Sequence, residues 1–133
     1  MAKNIPNTIS VNKCPCGSNL TGRDCCIAIL EGKSEADTAE VLMRSRYTAY
    51  TLRNSDYLLG TWHPAYRPAS LEFMTDQKWL GLKIMAIAAG QVGDDQGNVE
   101  FVARYKIAGR AHRLHEISQF EKLGGRWVYL HGE

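Results

Sequence analysis

The chain has 133 residues, enough for one ordinary domain with a small module at one end. Hydrophobic residues make up 44% of it, which suits a packed core, and 16 basic against 14 acidic residues leave a formal charge of +2. Those charges are mixed along the chain rather than gathered in a stripe, which argues against a dedicated nucleic-acid binder.

Residues 1–10 lack the apolar run of a secretory signal. No stretch reaches the length of a membrane span; residues 80–92 are the most apolar, and Lys83 and Gln91 interrupt them. The expected location is therefore cytoplasmic, with no membrane partner.

The first chemical feature is a cysteine window. Cys14, Cys16, Cys25 and Cys26 are all the cysteines of the chain, spaced as C-x-C, eight intervening residues, then C-C. A tetrahedral zinc needs four soft donors about 2.3 Å from the ion, brought together by turns. Pro15 restricts the first pair, while Gly17 and Gly22 let the backbone curl. A Cys14–Cys16 or Cys25–Cys26 disulfide would close a very tight ring, and the C-x-x-C of a thioredoxin-like relay is missing. Clustered thiols in a reducing compartment point instead to metal. With protein in all four positions the expected ion is one structural Zn²⁺ per chain. Lys13 and Arg23, beside the two pairs, can offset its negative charge. Residues 27–30 read as a short helix stopping near Gly32.

Further along, Asp37 and Glu40 form a capping-box-like start, and Ala39, Leu42, Met43, Tyr47 and Tyr50 share one helical face. Asn54 or Ser55 caps a second helix running through Trp62 and ended by Pro64. A short segment is expected around residues 71–74. From Trp79 the pattern becomes that of strands: 80–92, bent near Ala89-Gly90, then 99–107, 112–122 and 126–131, with turns at 94–98, 108–110 and 124–125. Helices followed by an antiparallel meander give an α+β fold, and pattern alone goes no further than that.

Two motifs carry a resemblance. Cys14-Pro-Cys-Gly-Ser18 with Cys25-Cys26 resembles the SEC-C motif, a zinc module also found at the end of the SecA ATPase, whose fourth ligand is usually histidine where this chain has Cys26. Residues 42–50 (LMRSRYTAY), 61–64 (TWHP) and 115–120 (HEISQF) are similar to the bacterial YchJ-like family. The resemblance implies metal binding and an NTF2-like curved antiparallel sheet packed on helices. It divides the chain into a SEC-C-type zinc module, 1–33, and an NTF2-like domain, 34–133.

Two functions follow as expectations. The first is an adaptor whose zinc module recruits an acidic protein partner through Lys13, Arg23 and Lys33, as the resemblance to the SecA module implies. The alternative is a small-molecule-binding or acid/base enzyme using an NTF2-like pocket, with His63, Arg104, His112 and Glu116 as pocket candidates. His112 and Glu116 share a strand face with backbones roughly 13 Å apart, and His115 faces the other way. No nucleophile–base pair, phosphate loop or cofactor motif is legible, so cross-strand pairing is the preferred reading of these four, and no catalytic residue is assigned. A deep, partly apolar pocket lined by Glu116 or His112 would favour the second function; a body filled by Tyr47, Trp62, Phe101 and Trp127 would favour the first.

Overall fold

The computed structural model describes residues 11–133, so the expectation about a secretory signal at residues 1–10 lies outside the described residues. A 3₁₀ turn at Gly22–Asp24 leads into α1 (Cys26–Leu30), followed by α2 (Ala39–Thr51) and α3 (Ser55–Gly60). Four strands follow: β1 (Gln77–Ala89), β2 (Gln96–Ile107), β3 (Arg110–Leu123) and β4 (Arg126–Gly132). They form one antiparallel sheet in the order β1-β2-β3-β4. Among the described residues no helix is long and apolar enough to cross a membrane.

Helix α2 organises the molecule. Thr38 caps it, its hydroxyl accepting from the Val41 amide at 3.2 Å. The cap is therefore one residue later than the expected Asp37, whose carbonyl instead accepts from the Trp127 indole at 3.1 Å. The apolar face of α2 buries Ala39, Leu42, Met43 and Tyr47 against Val99, Phe101 and Ala103 of β2, Phe120 of β3 and Trp127 of β4. In β2 the alternation of Val99, Phe101 and Ala103 supplies this inner face, as a half-buried strand requires.

Helix α3 is capped by Asn54, which accepts from the Tyr57 amide at 3.1 Å, and stops at Gly60 rather than at Pro64. Residues 61–63 then pair with Tyr129: its amide donates to Thr61, and its carbonyl accepts from His63, both at 2.8 Å. This covers part of the outer edge of β4. The stretch expected around 71–74 forms no regular element. It is tied down by Arg53, whose guanidinium donates to the Met74 and Thr75 carbonyls at 3.2 and 2.9 Å.

Strand β1 begins earlier and ends earlier than the 80–92 expected. Its register shifts lie between Trp79 and Gly81 and between Ile84 and Ala86, not at Ala89-Gly90. Gly90 follows the strand, with φ +77° and a carbonyl that accepts from the Ala39 amide at 2.9 Å. A side chain there would collide with Ala39. Glycine is thus required where the β1–β2 connection touches the start of α2.

Candidate metal centre and ligand cavity

The cysteine window folds as a miniature hairpin. Lys13 bridges to Thr21, and the Cys14 amide donates to the Leu20 carbonyl at 2.8 Å. Gly17, at φ +83°, turns the chain between the pair and Ser18, and its amide reaches the Cys14 carbonyl at 3.2 Å. The 3₁₀ turn then brings Cys25 and Cys26 back over Cys14 and Cys16.

All four sulfurs lie within 4.8 Å of one another, with Cys16–Cys25 at 3.6 Å and Cys25–Cys26 at 3.8 Å. A tetrahedron of thiolates with arms of about 2.3 Å has edges of roughly 3.8 Å, so the cage has the size of a single ion. The thiols are strongly interdependent. Hydrogen bonds from Cys14 and Cys26 drive Cys16 far below the ordinary thiol range. Hydrogen bonding to Cys14 and Cys16, with burial, drives Cys26 far above it, and burial pushes Cys25 up to about 11. Thiols this close oppose one another's ionisation until a cation sits among them. The donor set therefore fits a soft metal ion, and it contains no carboxylate or carbonyl to suit a hard one.

The surroundings reinforce the cage. Ser18 Oγ donates to Cys25 Sγ at 3.1 Å, and Cys14 Sγ lies 3.6 Å from Thr48 Oγ1 on α2. Arg44, also on α2, donates to the Cys16 carbonyl at 2.7 Å while pairing with Glu40 at 2.8 Å. Cys14, Cys16 and Cys26 belong to the same buried cluster as Leu42, Met43, Phe101 and Phe120. Lys13, Arg23 and Lys33 remain exposed, and Lys33 pairs with Glu31 at 3.3 Å.

On the other side of α2 a cavity of about 210 Å³ opens between helix and sheet. Its walls are mainly aromatic and aliphatic, with Tyr47, Tyr50, Trp79, Phe101 and Leu114 prominent. Two charged side chains, Arg46 and Glu116, line one part of it with Ser118 and Tyr129. Glu116 Oε2 accepts from the Ser118 hydroxyl at 2.5 Å and from the Tyr129 hydroxyl at 3.2 Å. Arg46, only 3% exposed, donates to the Leu58 carbonyl and to Thr61 Oγ1, both at 2.7 Å. Its guanidinium lies over the rings of Trp62 (5.0 Å) and Tyr129 (4.6 Å). Burial lowers the Arg46 pKa, against an opposing pull from Tyr50, Tyr129, Tyr57 and Glu116, yet a guanidinium stays charged. Burial also raises Tyr50 and Tyr129 and brings Tyr47 up to about 12, so the phenols are neutral.

Of the four pocket candidates, Glu116 alone lines this cavity. His112 shares its strand face but is exposed, its ring stacked on Tyr105 at 5.2 Å. Arg104 is exposed on the opposite face of the sheet, register partner of Arg113. His63 pairs with Glu121 at 3.1 Å, outside the cavity. His115, on the face opposite to Glu116, pairs with Glu100 at 2.6 Å. Among the four candidates, His112 and Glu116 make cross-strand contacts, the first with Tyr105 of β2 and the second with Tyr129 of β4. For Glu116 the partners are Ser118 and Tyr129 rather than an arginine.

Arg46 and Ser118 escaped the sequence reading, although signals for both exist. Arg46 continues the 39, 42, 43 stripe at the next helical position and so falls on the buried face. Ser118 lies between Glu116 and Phe120 in the inward alternation of β3.

Comparison with known proteins agrees with both halves of this description. Residues 38–132 match the family described as "YchJ, middle NTF2-like domain". A UPF0225 protein of Chromobacterium violaceum is 47% identical over 122 residues, covering 90% of each chain. One from Bordetella pertussis is 49% identical over 130 residues, covering 96% of each. Among solved structures, a SEC-C motif containing protein from Rhodopseudomonas palustris superposes with a TM-score of 0.80 at 36% identity, over 91% of this chain and 97% of that one. Another, from Psychrobacter arcticus, gives 0.76 at 28% identity, over 92% and 82%. With a cysteine cage of SEC-C type beside a four-stranded NTF2-like sheet, the chain belongs to the YchJ-like, UPF0225 family.

Proposed function

We propose that this chain is a small-molecule-binding protein whose cavity is framed by a fold that one structural Zn²⁺ holds together. The observation that carries the binding half is the open, largely apolar cavity with Glu116 and Arg46 in its wall. A body meant only as a carrier would be expected to fill that space with side chains, since interiors pack with few voids. The zinc half rests on four sulfurs at tetrahedral spacing, three of them buried, with no position left for a reacting water. The ion's contribution there is cross-linking, and all the ligand contacts come from α2 and the sheet.

Two measurements test this reading. Elemental analysis of protein purified without added metal is expected to find one zinc per chain. A screen of small organic fragments followed by amide chemical shifts is expected to produce saturable changes around Tyr47, Trp79 and Glu116. A screen in which no fragment perturbs that region would remove the binding function.

The adaptor reading rests on the exposed Lys13 and Arg23 beside the cysteine hairpin, a surface that suits an acidic partner. Its test is a pull-down with the intact protein and with Lys13→Glu plus Arg23→Glu; the same captured proteins in both would dispose of it.

A further inference from the structure

Resting on that reading of the cavity, we infer that its ligand is a small organic cation: an ammonium group carried on a flat apolar body. The two charged groups of the wall are not equivalent. Arg46 is 3% exposed, with one terminal nitrogen serving the Leu58 carbonyl and Thr61 Oγ1 and its guanidinium carbon over the rings of Trp62 and Tyr129. It is built into the wall. Glu116 is only partly buried. Both hydrogen bonds it accepts fall on Oε2, leaving Oε1 without a donor among the described residues. An ionised carboxylate has about four acceptor sites and no donor, so what it lacks is a donor from the ligand.

No ion pair within 4.0 Å joins Arg46 to Glu116 among the described residues. The Tyr129 side chain stands between their roles, its hydroxyl donating to Glu116 and its ring facing the guanidinium. The carboxylate is therefore free to pair with a guest.

The remaining walls favour the same guest. Tyr47 meets Trp79 edge-on at 5.7 Å, and Tyr50 lies 6.0 Å from the same indole, so a bank of rings lines the cavity. Ring faces attract cations, and more strongly in a site stripped of water. Their hydroxyls stay protonated, since burial raises both, so they add no negative charge that would call for a metal. The cavity, about 210 Å³, exceeds the roughly 150 Å³ that accommodates a benzene ring, leaving room for a short aminoalkyl arm.

The test compares three probes of one shape on the metal-loaded full chain: 2-phenylethylamine, 2-phenylethanol and phenylacetate. Isothermal titration and tryptophan fluorescence are expected to give binding of the amine about tenfold tighter than either of the others. In Glu116→Gln that preference should collapse to within about twofold, while the alcohol binds as before. Equal or tighter binding of the alcohol or the carboxylate to the native chain would overturn the cation assignment and leave the cavity's binding function standing. Failure of all three probes, with fragments of other chemistry binding at Trp79, would overturn the assignment as well. No saturable binding by anything would remove both. The native-chain comparison decides the matter even where Glu116→Gln folds poorly.

Discussion

The Glu116 side chain lies directly over the Cα of Gly132, in the space that any side chain at position 132 would occupy. The two meet because β4 returns beside β3 with Gly132 opposite Ser118, two residues from Glu116 on the inward alternation. Gly132→Ala must therefore displace the carboxylate from Ser118 and Tyr129. The expected cost is about 1–3 kcal/mol, from overpacking and from the disturbed hydrogen bonds. In a Glu116→Ala background the same substitution should cost much less, and a double-mutant cycle by urea denaturation measures the difference. Equal costs in the two backgrounds would mean that the carboxylate is elsewhere in solution.

Arg46→Lys is expected to destabilise the fold by about 1–3 kcal/mol, although the charge is kept. An ammonium lacks the broad guanidinium that lies over both Trp62 and Tyr129 while donating to the Leu58 carbonyl and Thr61 Oγ1. The unpaired carbonyl accounts for most of the loss. Thermal and urea unfolding check it, and a neutral result would place Arg46 in solvent.

Buried phenols set the alkaline limit. Tyr47 and Tyr57 are both raised to about 12, chiefly by burial, from an unfolded value of about 10. Each holds its proton longer in the folded chain than in the unfolded one. Their stabilisation is whole below pH 10 and is lost as the pH climbs through 12. The linkage amounts to about 2–3 kcal/mol per residue across that window. Denaturation midpoints of metal-loaded protein at rising pH should fall accordingly. Tyr57→Phe, which also gives up the 2.6 Å contact with Ser45, should be less stable at neutral pH yet show a shallower alkaline slope. An unchanged slope would count against a buried Tyr57.

Chelation should reach well beyond the cysteine hairpin. Three of the four thiols sit in the buried cluster that includes Leu42 and Phe101, so a cage without a metal ion leaves closely packed sulfurs with no cation among them inside the core. A loss of stability of several kcal/mol is expected, with hydrogen exchange accelerating in α2 as well as at Cys14–Cys26. Exchange confined to the hairpin would show that the body stands without it.

What the sequence makes legible follows physical locality. The cysteine spacing, the α2 stripe and the alternating strands depend on near neighbours, and all three can be read directly. The helix cap falls at Thr38 rather than Asp37 because two adjacent residues had the right chemistry and only tertiary packing, with Trp127 holding the Asp37 carbonyl, separates them. The cavity wall was harder. Arg46 falls on the buried stripe by position, but what holds a guanidinium there comes from Trp62 and Tyr129, 16 and 83 positions away. Glu116 could be named but its setting could not, since Gly132 and Tyr129 reach it only through the β3–β4 pairing. Arg104 and His63 were plausible by type alone, and strand alternation in one case and the course of the chain after α3 in the other turned them away.

Helix α2 has two clients. Arg44 and Thr48 attend the cysteine cage, while Met43, Arg46, Tyr47 and Tyr50 form one wall of the cavity. The positions interleave between Met43 and Tyr50, along about two turns of the helix, so it cannot loosen toward one without disturbing the other. A chain whose four thiols hold no metal ion is therefore expected to loosen the cage and the cavity wall together, and to present α2 to proteases more readily.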